Sequence, residues 1–370
     1  MRLVPIECVK DGCFLGKTIY DDQGRPLLKS GVALTSNLIK KIKDIHIYSI
    51  YIQDEYSDHE LEDIIKPELR QKSIKIIKEL FDNVENMKIN GAYLSAKNLN
   101  LILREKRDSL LSLRNLAEEL LDKVLSNKNI LVNLVDIKSM DNFTYQHSVN
   151  VAILSLVLGI GLKLNKKELL DLCIGSLLHD IGKVFIPKDI IFKDKKLTDK
   201  EVQLIETHPK KGYDYIKGAS YISPNVKMII LQHHERVDGL GYPNKLNSEK
   251  INKLSKIVSL ADYYDILTSD IPCKRALSPN EAFEYILAGS STLFEYEIVK
   301  VFSKLVIPFN EGTIVKLSNG DIGIVIENNY EYPLRPKIKI IKSNNLNSID
   351  SIVNLVDELS LVICSVEYNV

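Results

Sequence analysis

The sequence LQHHERVDGLGYP, residues 231–243, places two adjacent histidines directly before a glycine-rich turn. Asp238, Gly239, Gly241 and Pro243 are residue types that favour tight turns. This segment is polar, whereas the chain on either side of it carries apolar residues at helical spacing. The pattern therefore predicts a turn that interrupts a helical domain and holds two histidines at one place.

Residues 141–305, which surround this turn, predict an all-α domain because the helix starts are well marked. Three capping patterns are present: Thr198 with Glu201, Ser223 with Pro224, and Ser278 with Pro279 and Glu281. The most apolar run, VNVAILSLVLGIGL at 149–162, is shorter than the ~20 residues that span a bilayer. It predicts a buried helix rather than membrane insertion.

The flanking regions predict three further units. Residues 1–58 mix short β-rich runs with one helix capped by Thr35 or Ser36, which indicates a small α+β module. Residues 59–140 predict amphipathic helices, a helical connector that could join modules or pair two chains into a homodimer. In 306–370, GTIVKL and IGIVIE flank SNGD, which predicts a hairpin in a small β-rich module. The fold class is therefore mainly α.

The composition limits the classes of function. Of 370 residues, 49 are basic and 49 are acidic, so a general nucleic-acid binder is not indicated. The start MRLVPIECVK lacks the pattern of a secretory signal, which favours a cytoplasmic location. The five cysteines are scattered without a C-x-x-C pair, which argues against a disulfide framework or a thiolate metal site.

The histidines are concentrated in the helical domain. Five of the seven lie there: His147, His179, His208, His233 and His234. His208 is expected to end the helix that begins at Thr198, while His46 and His59 lie outside the cluster and are expected to be ordinary surface or packing residues. Asp180 and Asp262 add carboxylates, and imidazole with carboxylate suits Fe, Mn or Zn. Asp180 could bridge two ions, whose shared water would become a hydroxide near neutral pH.

These segments resemble the HD-GYP family of bacterial phosphodiesterases, which hydrolyse cyclic di-GMP. The resemblance covers about 141–305 and rests on HDIGK at 179–183, HHERVDGLGYP at 233–243 and ADYYDILTS at 261–269. It implies a pocket with two or three iron or manganese ions. The implied metal ligands are His147, His179, Asp180, His208, His233, His234 and Asp262. It also implies catalytic roles for Asp180, as the bridge, and for Lys183, beside the scissile phosphate.

The resemblance implies substrate contacts as well, with two departures from the family pattern. Substrate-binding candidates are Asp238, Gly241, Tyr242, Pro243 and Lys274; Tyr242 could offer a ring for guanine or a hydroxyl for phosphate. Phe143 stands where one branch has a glutamate ligand, which favours two metals. Ile271, Pro272, Cys273 and Lys274 replace Arg-Pro-Tyr-Arg, so a phosphate-binding arginine is missing.

Three functions remain open at this stage. The first is a metal-dependent phosphodiesterase that opens cyclic di-GMP to pGpG. The second is the same chemistry on another cyclic dinucleotide or phosphoester, which the loss of arginine at Ile271 motivates. The third is a non-catalytic cyclic-dinucleotide sensor or scaffold.

Overall fold

The computed structural model describes residues 1–21, 24–57, 63–89, 107–127, 143–270, 275–329 and 331–368. The amino-terminal module contains five strands and one helix: β1 (Arg2–Pro5), β2 (Phe14–Leu15), β3 (Ile19–Tyr20), β4 (Pro26–Leu28), α1 (Ser36–Asp44) and β5 (Ser49–Gln53). β5 pairs antiparallel with β1 and β2, and β3 pairs with β4. Thr35 caps α1 by accepting a hydrogen bond from the Leu38 N–H, as the sequence predicted.

Two long helices follow, α2 (Pro67–Ile89) and α3 (Arg107–Ser126). Part of each apolar side is buried: Ile77 and Phe81 of α2 and Leu116 of α3 belong to the main hydrophobic core. Burial of such side chains stabilises the fold by about 1.5–3 kcal/mol each. Both helices are therefore held against the helical domain through these buried side chains.

The helical domain is built around one apolar helix. Its helices are α4 (Phe143–Gly161), α5 (Lys166–Leu178), α6 (Lys188–Ile191), α7 (Asp199–Ile205), α8 (His208–Ile216), α9 (Pro224–Gln232), α10 (Lys253–Leu267), α11 (Pro279–Ala288) and α12 (Tyr296–Leu305). By length and composition α4 could cross a membrane, but 72% of its most apolar stretch is buried inside the protein. α4 is thus a core helix, as its sequence indicated, with α5, α10 and α12 packed against it.

The predicted helix starts are confirmed. Thr198 and Ser278 head capping boxes with Glu201 and Glu281, and Ser223 accepts a hydrogen bond from the Val226 N–H. Each cap satisfies backbone N–H groups that have no partner within the helix.

The prediction that His208 ends the helix begun at Thr198 is wrong. That helix, α7, ends at Ile205, and His208 begins the next one, α8. Pro209 has no N–H to donate to the Ile205 carbonyl, so a helix cannot continue through it without losing that bond. The freed carbonyl lies 2.8 Å from His208 Nδ1 instead.

The carboxyl-terminal module is a five-stranded antiparallel sheet. Its strands are β6 (Ile314–Leu317), β7 (Ile322–Glu327), β8 (Lys337–Lys342), β9 (Ile352–Asn354) and β10 (Ile363–Val366), in the order β10-β6-β7-β8-β9. β6 and β7 form the predicted hairpin around SNGD. With the helical centre and the α+β start, this confirms the predicted mainly α fold class.

The amino-terminal module contacts the helical domain through Arg275. Its guanidinium lies 4.0 Å from the ring centroid of Tyr48, and Nη2 lies 2.8 Å from Glu7 Oε1. A cavity of about 270 Å³ lies beside this contact, lined by residues of both units.

Candidate metal centre

Helix ends and helix interiors bring the predicted ligands together. His147 and Asp262 project from the interiors of α4 and α10, whereas the others lie where helices start or stop: His179 and Asp180 after α5, His208 at the start of α8, and His233 and His234 after α9. Six of the seven side chains are almost wholly buried, and His234 is 12% exposed. All seven predicted ligands therefore meet in one place.

Asp180 belongs to two groups of potential ligands. Its oxygens and the imidazoles of His208, His233 and His234 form one group, and Asp180 with His147 and His179 forms another; within each group the ligand atoms lie within 4.8 Å of one another. The two carboxylate oxygens divide between the groups. Oδ1 lies 3.2 Å from His208 Nε2, and Oδ2 lies 3.4 Å from His179 Nε2. This is the arrangement expected of a carboxylate between two cations.

Asp262 lies between the same groups. Its Oδ1 is 3.0 Å from His147 Nε2, and its Oδ2 is 3.6 Å from His234 Nδ1. The carboxylate can therefore supply an oxygen to either side of the cluster.

Hydrogen bonds fix the orientation of the imidazoles. Nδ1 of His179, His208 and His233 lies 2.7, 2.8 and 3.0 Å from the carbonyls of Ser176, Ile205 and Ile230. A carbonyl only accepts, so we assign the proton of each neutral ring to Nδ1 and the lone pair to Nε2. Backbone partners of this kind are typical of metal-ligating histidines.

Two observations show that this pocket fits cations. Nε2 of His208 lies 3.1 Å from Nε2 of His233, and two lone pairs at that distance repel each other unless a positive charge lies between them. Among the residues that the structure describes, nothing donates a hydrogen bond to Asp180 Oδ1 or Asp262 Oδ2, although both are buried. Buried charged oxygens without partners are costly, and a metal ion would satisfy them.

The protonation states also suit metal binding. Burial lowers the pKa of His234 to about 3 and holds that of His233 well below its ordinary value. Burial alone would raise the pKa of Asp180, but the Lys183 charge and neighbouring histidines hold it well below the usual range. Neutral imidazole and ionised carboxylate are the forms that bind metals.

His147 differs from these histidines. Burial alone would lower its pKa, but hydrogen bonds to Asp262 and Asp265 raise the pKa to about 9. A divalent ion at His147 Nε2 would therefore compete with a proton. The Phe143 ring stacks on this imidazole at an interplanar angle of 7°, and an apolar ring cannot act as the additional ligand that a glutamate would provide.

Lys183 lies at the edge of the cluster in a short 3-10 helix, Ile181–Phe185. Its Nζ is 2.5 Å from Asp180 Oδ2, and 24% of its side chain is exposed. Lys183 is thus both in contact with the predicted bridging carboxylate and accessible from outside.

The turn that follows His234 packs its backbone tightly against the cluster. A Cβ on Gly241 would lie 2.4 Å from the Arg236 backbone nitrogen, and Gly239 has a φ of +76°, so both positions favour glycine. The Tyr242 ring stacks on His234 with centroids 4.6 Å apart, and the bond to Pro243 is cis.

Asp238 holds the same turn together through two hydrogen-bond partners. Its carboxylate pairs with Arg236 and accepts a hydrogen bond of 3.0 Å from the Leu240 N–H. Its predicted contact with substrate stays a prediction. Lys274, Ile271 and His59 lie outside the described residues, and His46 is exposed beside Tyr48.

Three buried polar residues that support the site were not predicted from the sequence. Glu235 accepts hydrogen bonds from the Asn244 and Leu246 N–H groups, which holds the loop after Pro243. Asp265 Oδ2 lies 2.6 Å from His147 Nδ1, and its Oδ1 accepts a hydrogen bond from Asn150. The signal was present: Asn150 is a lone amide in a strongly apolar run, and Asp265 follows Asp262 at the i+3 spacing of one helix face.

Comparison with family models assigns two regions of the chain. Residues 129–298 match the HD domain, and residues 314–368 match a KOW domain associated with the HD domain. The first match contains every residue of the metal cluster, and the second coincides with the five-stranded sheet.

Curated relatives include several named phosphodiesterases. The chain is 35% identical over 229 residues to a cyclic di-GMP phosphodiesterase of Pseudomonas aeruginosa, covering 62% of this chain and 55% of that protein. It is 30% identical to the cyclic di-GMP phosphodiesterase PdeB of Borreliella burgdorferi, covering 58% of each. A 3′3′-cGAMP-specific phosphodiesterase of Vibrio cholerae is 34% identical over 43% of this chain and 36% of its own length. The matched regions thus span little more than half of the first two relatives.

A solved structure shares the fold. An HDG"Y"P protein from Bdellovibrio bacteriovorus superposes with a TM-score of 0.50 over 81% of this chain and 97% of its own, at 18% identity. At this identity the likeness concerns the fold alone.

Proposed function

We propose that the chain belongs to the HD-GYP branch of the HD-domain family and that it is a metal-dependent phosphodiesterase that hydrolyses cyclic di-GMP. The observation that carries the proposal is the pair of ligand groups that share Asp180. Two cations held about 3.5–4 Å apart can stabilise both the attacking and the leaving oxygen of a phosphodiester.

The proposed cofactor is a pair of divalent ions, iron or manganese. His147, His179 and Asp180 would hold one ion, and Asp180, His208, His233 and His234 would hold the other, with Asp262 beside both. When bound, the ions would place positive charge at the phosphoryl oxygens and lower the pKa of the attacking water. Phe143 supports two ions rather than three, because it offers no oxygen.

In the proposed reaction, one water is consumed and one ring bond is broken. The water oxygen forms a bond to phosphorus, the P–O3′ bond breaks, and the leaving O3′ takes up a proton, which gives linear pGpG. Lys183 is our candidate donor of that proton, since its ammonium lies beside Asp180 and is accessible from outside. Its charge would also offset the charge that develops on the phosphoryl oxygens.

We assign the substrate contacts to the turn after His234 and to the segment after α10. Gly241 and Tyr242 lie against His234, and Pro243, Asp238 and Lys274 complete the predicted set. We further propose a cytoplasmic enzyme with no nucleic-acid partner and no membrane insertion. A homodimer through the connector, and unit boundaries of 1–58, 59–140, 141–305 and 306–370, belong to the same proposal.

A turnover assay tests the function. Protein is purified without oxygen, its metal content is counted, and cyclic di-GMP is added with Mn²⁺ or Fe²⁺ before the products are separated. We expect pGpG from the wild type and from Asp214→Ala, whose exposed carboxylate pairs only with surface lysines in the contacts described. Asp180→Ala should form none, because both ligand groups lose an oxygen. Equal turnover by Asp180→Ala would contradict the proposal.

The same assay tests 3′3′-cGAMP as a second candidate substrate. One relative is named for 3′3′-cGAMP, and Ile271 replaces an arginine of the family pattern. Cyclic di-GMP and 3′3′-cGAMP supplied together at equal concentration would separate the two activities. Preference for 3′3′-cGAMP would reassign the substrate, and metal-loaded protein that binds but turns over neither would indicate a sensor.

A further inference from the structure

A chain of polar contacts, buried at Asn150, Asp265 and His147, leads from the connector helix α2 to the candidate metal cluster. The Arg70 guanidinium on α2 donates a hydrogen bond to the Asn150 side-chain carbonyl on α4. Asn150 Nδ2 donates across to Asp265 Oδ1 on α10 at 3.0 Å. Asp265 Oδ2 lies 2.6 Å from His147 Nδ1. Three helices are therefore joined in one path that ends at a metal ligand.

The direction of each hydrogen bond is fixed by its neighbour. An amide has one accepting and one donating end, and Arg70 can only donate, so it selects the carbonyl end of Asn150. The donating end is then turned toward the Asp265 carboxylate. In the reverse orientation the amide oxygen would face that carboxylate, and two acceptors would repel each other.

His147 differs from the other cluster histidines in the hydrogen-bond partner that orients its ring. His179, His208 and His233 are held by backbone carbonyls of their own local segments. His147 is held by a side chain on a different helix, at a separation of 118 residues. A side-chain carboxylate can rotate or shift where a helical carbonyl cannot, so the position of His147 depends on what restrains Asp265.

We propose that Arg70 is a positioning residue for the metal centre and acts on His147 through Asn150 and Asp265. By this path the connector helix α2 sets the affinity of the site that contains His147. The inference rests on the proposed metal centre but requires no particular substrate. It assigns to the connector a contribution to the active site, in addition to its packing against the core.

Metal binding is the direct test, with Mn²⁺ titrated into metal-free full-length protein and followed by calorimetry and by electron paramagnetic resonance. Arg70→Met keeps the length of the side chain but donates no hydrogen bond. We expect it to weaken the affected Mn²⁺ site by about tenfold, the lower end of the effect of outer-shell partners. Lys72→Met, two residues away on the same helix, removes an exposed ion pair with Glu119 and should bind Mn²⁺ like the wild type.

A double-mutant cycle separates this path from general loosening. If Arg70 acts through Asn150, Arg70→Met with Asn150→Leu should bind Mn²⁺ no more weakly than Asn150→Leu alone. Arg70→Lys keeps a cationic donor and should give an intermediate affinity. A wild-type Mn²⁺ affinity in Arg70→Met, or losses that add in the double variant, would overturn the proposal.

Two further measurements keep the result unambiguous. Denaturant unfolding of the metal-free variants reports any purely structural loss, which would lower stability without changing the Mn²⁺ Kd of the folded protein. The proposed function can fail separately, because a wild type that binds Mn²⁺ but does not cleave cyclic di-GMP leaves the Arg70 comparison intact. A wild type that binds neither Mn²⁺ nor Fe²⁺ would overturn both.

Discussion

Asp180 gives one oxygen to each half of the cluster, so its side chain decides whether there is one site or two. Oδ1 lies near His208, and Oδ2 lies near His179 and Lys183. A shorter or neutral side chain here would affect both groups at once, whereas loss of a single histidine would affect one. The number of ions bound by each variant therefore shows whether the substituted residue belongs to one ligand group or to both.

Two substitutions separate the role of the Tyr242 ring from that of its hydroxyl. Its ring covers one face of His234 at 4.6 Å, and such aromatic pairs contribute about 0.5–1.5 kcal/mol beyond burial. We expect Tyr242→Phe to retain metal affinity and Tyr242→Leu to weaken it several-fold, because only the second removes the stacking. Mn²⁺ titration and KM for cyclic di-GMP, measured together, check this. A raised KM in Tyr242→Phe with unchanged metal affinity would assign the hydroxyl to substrate.

The 3-10 helix that carries Lys183 and the helix α8 that carries His208 touch backbone to backbone at Gly182. A Cβ there would lie 1.9 Å from the His208 carbonyl oxygen and 2.7 Å from the Gly212 nitrogen. We expect Gly182→Ala to destabilise the protein by about 1–3 kcal/mol or more, since neither backbone can yield locally. Denaturant unfolding measures the loss of stability. A lower content of bound metal would show that Asp180 and His208 have moved apart.

Gly212→Ala provides the matched comparison for that experiment. Its Cβ would meet the Ile230 side chain at 2.9 Å and the Gly182 backbone nitrogen at 3.1 Å, both farther than the 1.9 Å contact at Gly182, and a side-chain methyl can move more easily than a backbone carbonyl. The loss should be smaller than for Gly182→Ala. Equal stability of Gly182→Ala and the wild type would show that the two segments can separate freely.

The start of α7 gives a prediction about pH. Hydrogen bonds from Lys193 and from the Thr198 backbone lower the pKa of Glu201 to about 2, from 4.5 in an unfolded chain. A depressed pKa in the folded state means that the stabilisation is complete above pH 4.5 and is lost as the pH falls toward 2. Glu201→Gln keeps a capping side chain without the charge. Its unfolding midpoint should therefore fall less steeply than that of the wild type between these pH values, and parallel curves would contradict the assignment.

Local signals predicted most of these helices, and distant partners account for what was missed. Capping at Thr198 and Ser278 depends on residues three positions apart, so it can be predicted from the local sequence. The candidate metal ligands were predicted because histidine is rare in the chain and the motifs are specific. Asp265 and Asn150 were missed because their partners lie on other helices, and the end of α7 was misplaced because the effect of Pro209 was not considered.

The three modules have separate hydrophobic cores, and all seven candidate metal ligands lie in the helical domain. The main core includes α2 and α3 with the helical domain, while the amino-terminal and carboxyl-terminal sheets have their own clusters. Contacts such as Arg275 with Glu7 and Tyr48 join the modules at the surface. Among the described residues, side-chain contacts of this kind connect the first module directly to the domain that holds the candidate ligands.

Removal of metal should destabilise the helical domain as a unit, since the ligands come from α4, α8, α10 and the ends of α5 and α9. A ligand at 100 times its Kd stabilises the folded state by about 2.7 kcal/mol. We expect a chelator to lower the unfolding midpoint of the metal-loaded wild type and to leave Asp180→Ala unchanged. Superimposable curves for the wild type with Mn²⁺ and with chelator would show that no ion is held.

The spread of the ligands along the chain also bears on how the protein matures. His147 and its partner Asp265 are 118 positions apart, so the cluster cannot form from any one segment as it leaves the ribosome. Contacts of such high sequence separation require a long loop to close, which slows folding. Metal uptake would then report that the helical domain is finished, and a partly folded or truncated chain would remain without its ions and without activity.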